Sequence, residues 1–322
     1  MVCRIAVPGC LLLAVAVAAL ASEHPCPRAG ADAFSAADLV EPSAKVELVA
    51  GGFQFTEGPA SDKEGNVYFS DIRANRIYVW SVENRLSVFR EPSGRANGLR
   101  FDRAGNLLAC EGAARRVTAT APDGTVTVLA DRYQGKRLNS PNDLWIDPKG
   151  GIYFTDPRYT GARWVWSDKS GPTNGDADPD DREEQEMRGL YYLPPNGQPL
   201  RRFAEEFVNP NGVVGTADGR RLYVSDTDAR QTYVFEVGDD GSLTGRKVIV
   251  PHYSDGMTLD EYGNLYLTNG PVHIYTPEGR PITTIQLPAN SANVAFGGKD
   301  GRTLFIAARQ GLYALRMKVR GQ

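Results

Sequence analysis

The sequence predicts an all-β chain folded as a six-bladed β-propeller, and three observations carry that prediction. A turn-and-strand pattern recurs six times, its turn glycines fall roughly 40 residues apart in all but one interval, and amphipathic helix patterns are almost absent. The copies are SDKEGNVYFSD from Ser61, FDRAGNLLACEG from Phe101, IDPKGGIYFTDP from Ile146, GTADGRRLYVSDT from Gly215, LDEYGNLYLTNG from Leu259 and FGGKDGRTLFIAA from Phe296. In each, a glycine (Gly65, Gly105, Gly150, Gly219, Gly263, Gly301) serves the hairpin turn, and β-branched or aromatic residues follow that suit a half-buried strand. Further strand signals, such as Thr232-Tyr233-Val234-Phe235, lie between the copies. Closing six such units in a ring removes the exposed sheet edges of an open array.

From the N-terminus, residues 1–21 read as a signal peptide: Arg4 supplies charge, residues 10–20 are apolar, and Ala19-Leu20-Ala21 fits a small-x-small cleavage site. The expectation is an exported protein, periplasmic or secreted, whose mature chain starts near Ser22. An uncleaved anchor is the alternative, although the apolar run falls short of the ~20 residues of a bilayer span. Residues 22–45 form an N-terminal tail and residues 46–318 the propeller. The long interval between Gly150 and Gly219 marks an insertion loop, 159–188, with Trp164, Trp166 and an acidic stretch from Asp176 to Asp181. That stretch lacks the glycine and terminal Glu of a calcium loop and reads as a solvated loop or a lid over the propeller mouth.

The net charge of −3 is spread without long runs of one sign, so neither nucleic acid nor a membrane surface is an expected partner. No later segment is apolar for long enough to span a bilayer. Outside the signal the cysteines are Cys26 and Cys110, which either form one disulfide or leave Cys110 as a buried, inert thiol. No GxSxG elbow occurs, and His24, His252 and His273 do not assemble a Ser-His-Asp set. His252 reads as a surface or strand-edge residue, with an approach to the channel mouth as the alternative.

In a propeller the innermost strands line a central channel, so residues at equivalent places in different repeats converge. Glu57, Asn142, Asn211 and Asp255 each stand eight residues before the turn glycine of their repeat, and Asn97 occupies the same place in the second. Asn and Asp before Gly are common turn formers. Here, though, the downstream glycine already provides the turn, and a matching offset in five repeats points to a shared site. Two carboxylates and amide carbonyls make an oxygen-rich set suited to one divalent cation, Ca²⁺ before Zn²⁺, Mg²⁺ or Mn²⁺.

These residues stand in FTEGPA at Phe55, in the run LADRYQGKRLNSPNDLWIDPKGGIYFTDPRY from Leu129, in NPNG at Asn209 and in SDGMTLDEYGNLYLTNG at Ser254. The chain thereby resembles the gluconolactonase and regucalcin family over roughly residues 46–315, and its bacterial gluconolactonase branch in particular. The resemblance implies that Glu57, Asn211 and Asp255 hold the metal and that Asn142 contacts metal or substrate. It implies hydrolysis of a sugar lactone by metal-activated water, with Asp255 as base and Asn142 and Asn97 orienting the substrate. Where similar bacterial members carry Cys-Glu-His in the second repeat, this chain has Glu111 followed by Gly112, which leaves the outer pocket open to question. The competing functions are an arylesterase or phosphotriesterase-like hydrolase on the same site and a non-catalytic calcium-binding propeller.

Overall fold

The computed structural model describes residues 34–158, 183–203 and 207–322. The expected signal peptide, Cys26, His24 and most of the insertion, with its two tryptophans and acidic stretch, lie outside the described residues. The chain divides into a unit Met1–Gly30, also outside them, and a unit Ala31–Gln322, to which all that follows refers.

The unit is the expected ring of six four-stranded antiparallel blades. Blade 1 comprises strands Thr56–Ser61, Val67–Asp71, Arg76–Trp80 and Leu86–Arg90, and blade 2 strands Ala96–Phe101, Leu107–Glu111, Arg116–Thr120 and Val126–Ala130. Blade 3 is built from Leu144–Ile146, Ile152–Asp156, Gly189–Leu193 and Arg201–Phe203, and blade 4 from Pro210–Gly215, Arg221–Asp226, Gln231–Val237 and Leu243–Val250. Blade 5 has Met257–Leu259, Leu265–Thr268, Val272–Tyr275 and Pro281–Ile285. Blade 6 takes three strands from the C-terminal end, Asn293–Gly297, Thr303–Ala308 and Gly311–Arg316, and its outermost from the N-terminal side, Glu47–Gly51, which pairs with Gly311–Arg316. This pairing ties the two ends of the chain into one sheet. Each first strand neighbours the first strand of the next blade, blade 6 against blade 1 included, so the ring is closed.

The six turn glycines all adopt positive φ, between 67° and 90°, which a residue with a Cβ rarely accepts. Most of these turns are further fixed by an aspartate at the head of the turn. Asp62 Oδ1, for example, accepts the N–H groups of Glu64 and Asn66 at 3.0 and 2.8 Å. Alternate strand residues pack into the seams between blades, where Tyr153, Tyr191, Tyr223 and Tyr266 are fully buried. Within the segment expected as a tail, Leu39 on the short helix Ala36–Leu39 is buried in the core with Ile274, Leu304 and Met317. Among the described residues, no helix is long and apolar enough to cross a membrane. Cys110 is a free, buried thiol whose pKa burial pushes well up, in keeping with an inert core cysteine.

Candidate functional site

The backbone builds the site first. Between Glu57 and Ala60, between Ala96 and Leu99, and between Pro210 and Val213, the innermost strand slips register against its partner. Bulges of this kind redirect side chains, and these fall on the stretches that carry Glu57, Asn97 and Asn211. The glycine after Glu57 is required by close approach: a Cβ on Gly58, which has φ +49°, would stand 1.9 Å from the Asn97 carbonyl oxygen of the next blade.

Two sets of side chains hold these stretches in place. Three aspartates at the ends of second strands each accept two backbone N–H groups just upstream of a site residue. Asp71 takes those of Gln54 and Phe55 at 2.9 and 3.0 Å, Asp156 those of Asn139 and Ser140 at 2.8 and 2.7 Å, and Asp226 those of Val208 and Asn209 at 2.6 and 3.0 Å. The residue preceding each aspartate carries a hydroxyl. Ser70 donates to the Asn97 carbonyl at 2.8 Å and Thr155 to the Asn211 carbonyl at 2.6 Å, each across a blade seam. In blade 5, Thr268 donates to the Ala292 carbonyl at 2.7 Å, which places Ala292 where the other blades carry their site residues.

At the centre, Asn211 Nδ2 donates to Asp255 Oδ1 at 2.8 Å and lies 3.4 Å from the Thr227 hydroxyl. Glu57, 3% exposed, accepts the Gly58 N–H at 2.9 Å through Oε2. Burial raises its pKa well above the usual carboxylate range, and the charge of Asp255 adds to the effect against the Gly58 hydrogen bond. Burial likewise pushes Asp255 up to about 6, opposed by the Asn211 hydrogen bond and the positive charge of Arg309. Two buried, mutually repelling carboxylates with amides alongside are a donor set that a hard divalent cation fits, since it relieves both the repulsion and the desolvation. Among the described residues no three or more His, Cys, Asp or Glu side chains converge as a metal centre, so the remaining ligands here would have to be amide oxygens.

A cavity of about 750 Å³ opens on this centre, lined among others by Asn211, Asp255, Phe55, Arg158, Tyr253 and Arg309. Of the five residues singled out by spacing, Asn211 and Asp255 line the cavity, and Glu57 joins them through its interaction with Asp255. Asn97 and Asn142 occupy equivalent backbone positions on blades 2 and 3, off the cavity wall. Their backbones meet across the seam, where the Asn142 carbonyl accepts the Gly98 N–H at 2.8 Å. His252 is held away from the cavity. Its Nδ1 faces the Tyr253 carbonyl at 3.0 Å, which requires the proton there, and its Nε2 therefore accepts the Tyr275 hydroxyl at 2.6 Å. Glu111 is a fully buried structural carboxylate, bound by Arg90, by Arg116 Nε at 2.6 Å and by Thr118 at 2.7 Å.

Three further polar residues stand at the site, Arg309, Asp143 and Asn293, and the first two escape a reading by spacing from the repeats. Arg309 sits in the tight turn after strand Thr303–Ala308, with its guanidinium 5.6 Å from the centre of the Phe55 ring. Nothing in the surrounding AARQG stretch marks it in the sequence. Asn293 does carry a signal, for it too stands eight residues before its turn glycine, Gly301.

These features define a class: six-bladed propellers with an acid-and-amide centre opening on an axial cavity. Residues 55–310 match the model of the SMP-30/gluconolactonase/LRE-like region, and the chain belongs to that family. It is 30% identical over 313 residues to a gluconolactonase of Zymomonas mobilis, covering 88% of this chain and 84% of the relative. Among solved structures it is similar to a putative gluconolactonase (32% identity, TM-score 0.79, 88% of this chain and 96% of that one). A gluconolactonase from Xanthomonas campestris is also similar (29% identity, TM-score 0.76, 86% and 90% covered).

Proposed function

We propose that this protein hydrolyses a sugar lactone at the axial cavity, with one divalent cation, Ca²⁺ by the hardness of the donors, held by Glu57, Asn211 and Asp255. The observation that carries the reading is the buried Glu57 and Asp255 pair beside Asn211 at the base of a polar cavity. The relatives named gluconolactonase, together with a Haloferax volcanii relative named pentonolactonase (26% identity), support the lactone as substrate. When bound, the cation supplies polarisation of the lactone carbonyl and a lowered pKa for a nearby water.

The chain's own residues do the rest. Asp255, ionised and beside the cation, is the group assigned to take the proton of the attacking water. The water oxygen bonds to the carbonyl carbon, the ring C–O bond breaks, and the proton passes to the departing ring oxygen, giving the open hydroxy acid. The Asn211 hydrogen bond and the charge of Arg309 both favour the charged form of Asp255 against the effect of burial.

Substituting Asp255→Asn and Glu57→Gln should abolish hydrolysis of aldonolactones while circular dichroism remains that of a β-propeller. A panel of aldonolactones, aryl esters and phosphotriesters separates this substrate class from other activated esters. Wild-type turnover in either folded variant would sink the mechanism.

A further inference from the structure

The wall of the axial cavity carries three arginines, Arg158, Arg188 and Arg309, against two carboxylates, Asp228 and Asp255. Arg158 and Arg188 flank the passage from the second to the third strand of blade 3. Arg309 occupies the matching turn of blade 6, opposite blade 3 in a six-membered ring, so guanidinium groups come to the cavity from both sides. Arg188 is paired within the protein: its Nε lies 3.1 Å from Glu183 and its Nη1 3.8 Å from Asp228. Asp255, with Glu57, is assigned to the cation, and the two carboxylates together cancel its charge. Neither acid of the wall is therefore left to neutralise Arg309.

The turn that carries Arg309 differs from those of the other blades. At the end of the second strand, blades 1 to 4 carry an acid, Asp71, Glu111, Asp156 and Asp226, where blade 6 has Ala308. The turn is also shorter: Asp71 pairs with Arg76 and Asp226 with Gln231, but Ala308 pairs with Gly311 across Arg309 and Gln310 alone. Thr56, the residue before Glu57, holds it in place by donating its N–H to the Arg309 carbonyl at 2.7 Å. Arg309 takes φ +53° there, a conformation better suited to glycine or asparagine. Its guanidinium rests against the Phe55 ring and makes no hydrogen bond or ion pair among the described residues.

We infer that the lactone taken by this site carries an anionic group, a carboxylate or a phosphate, away from its reacting carbonyl, and that Arg309 selects for it. The inference rests on the reading of the cavity as a lactone-hydrolysing site. A guanidinium presents a planar fork of N–H donors that matches either anion with two parallel bonds. A neutral lactone gains little from that fork, whereas an anionic one gains a charge-assisted hydrogen bond, commonly worth roughly 10–100-fold.

The test compares kcat/KM for gluconolactone, its phosphate ester and a glucaric acid lactone, which keeps a second carboxylate, in the wild type and in Arg309→Asn. Asparagine accepts the positive φ and removes the charge. Because Arg309 also favours the charged form of Asp255, its loss slows every lactone alike, and that effect cancels in the ratio of anionic to neutral substrate. The wild-type ratio should be about tenfold or more for at least one anion, and the larger ratio tells phosphate from carboxylate. It should fall by roughly 10–100-fold in Arg309→Asn, and in the wild type it should fall with added NaCl, which needs no variant to fold. A wild-type ratio near one for both anions, a ratio unmoved by salt, or one unmoved in a folded Arg309→Asn overturns this inference while lactone hydrolysis stands. Hydrolysis of none of the three lactones overturns the reading of the site and the inference with it.

Discussion

Calcium should stabilise this protein more at pH 7 than at pH 5, by an amount that follows from the two central carboxylates. Burial pushes Asp255 from 3.8 to about 6, and burial with the charge of Asp255 raises Glu57 as well. In cation-free protein each group therefore holds its proton to a higher pH than in the unfolded chain. Folded protein binds more protons than unfolded between the two pKa values, so this pair costs stability as pH rises through about 6, and the cost vanishes below about 4. For Asp255 alone the cost at neutral pH is about 3 kcal/mol. A cation needs both groups ionised, so it offsets the cost at pH 7 and competes with protons at pH 5. Asp255 by itself lowers the apparent affinity roughly tenfold between those pH values, about 1.4 kcal/mol, and Glu57 adds to it. In a scanning calorimeter, dialysed cation-free protein is compared with protein in excess CaCl₂. The calcium-induced rise in Tm should be larger at pH 7 by about 2–4 °C or more. An equal rise at both pH values, or a larger one at pH 5, would refute the assignment of Glu57 and Asp255 to the cation.

Substituting Asp226→Ala leaves the Val208, Asn209 and Ala229 N–H groups without their acceptor and should cost about 3 kcal/mol or more in urea denaturation. Because Asn209 lies two residues before Asn211, the same variant should bind calcium more weakly in calorimetry. His252→Ala should leave lactone kcat/KM within about twofold of wild type, since both ring nitrogens are committed to Tyr253 and Tyr275. A tenfold loss would place His252 in the chemistry. If residues 1–21 are a signal peptide, intact-mass measurement of protein expressed with export should place the mature N-terminus near Ser22.

The ring was legible because each repeat states its own hairpin: a glycine where φ must be positive and a strand of alternating apolar residues behind it. What closes the ring was not, since Glu47–Gly51 shares no motif with the strands it joins, and its pairing with Gly311–Arg316 spans nearly the whole propeller sequence. The aspartate clamps stood in plain view as the acidic ends of VYFSD, IYFTD and LYVSD. Their purpose, holding the backbone ahead of a site residue, depends on a partner about 17 residues upstream that no local pattern names.

Asn293 shows where counting along the chain stops being geometry. An offset from a turn glycine locates equivalent residues only if the hairpin between them keeps its length, and the sixth repeat, with Gly297-Gly298-Lys299-Asp300-Gly301 in its turn, does not. Eight residues before Gly301 is Asn293, but the residue whose N–H meets the second strand as that of Asp255 does is Ala292, whose N–H donates to the Ala307 carbonyl at 2.8 Å. One extra residue in a turn moves a side chain to the opposite direction of the strand. Blade 6 therefore presents no ligand where its neighbours present Asp255 and Glu57. It presents instead, one position later, an amide that fills the space beside Gly256. The same count that finds Glu57, Asn211 and Asp255 on three blades finds, on the sixth, a side chain packed against Gly256 instead.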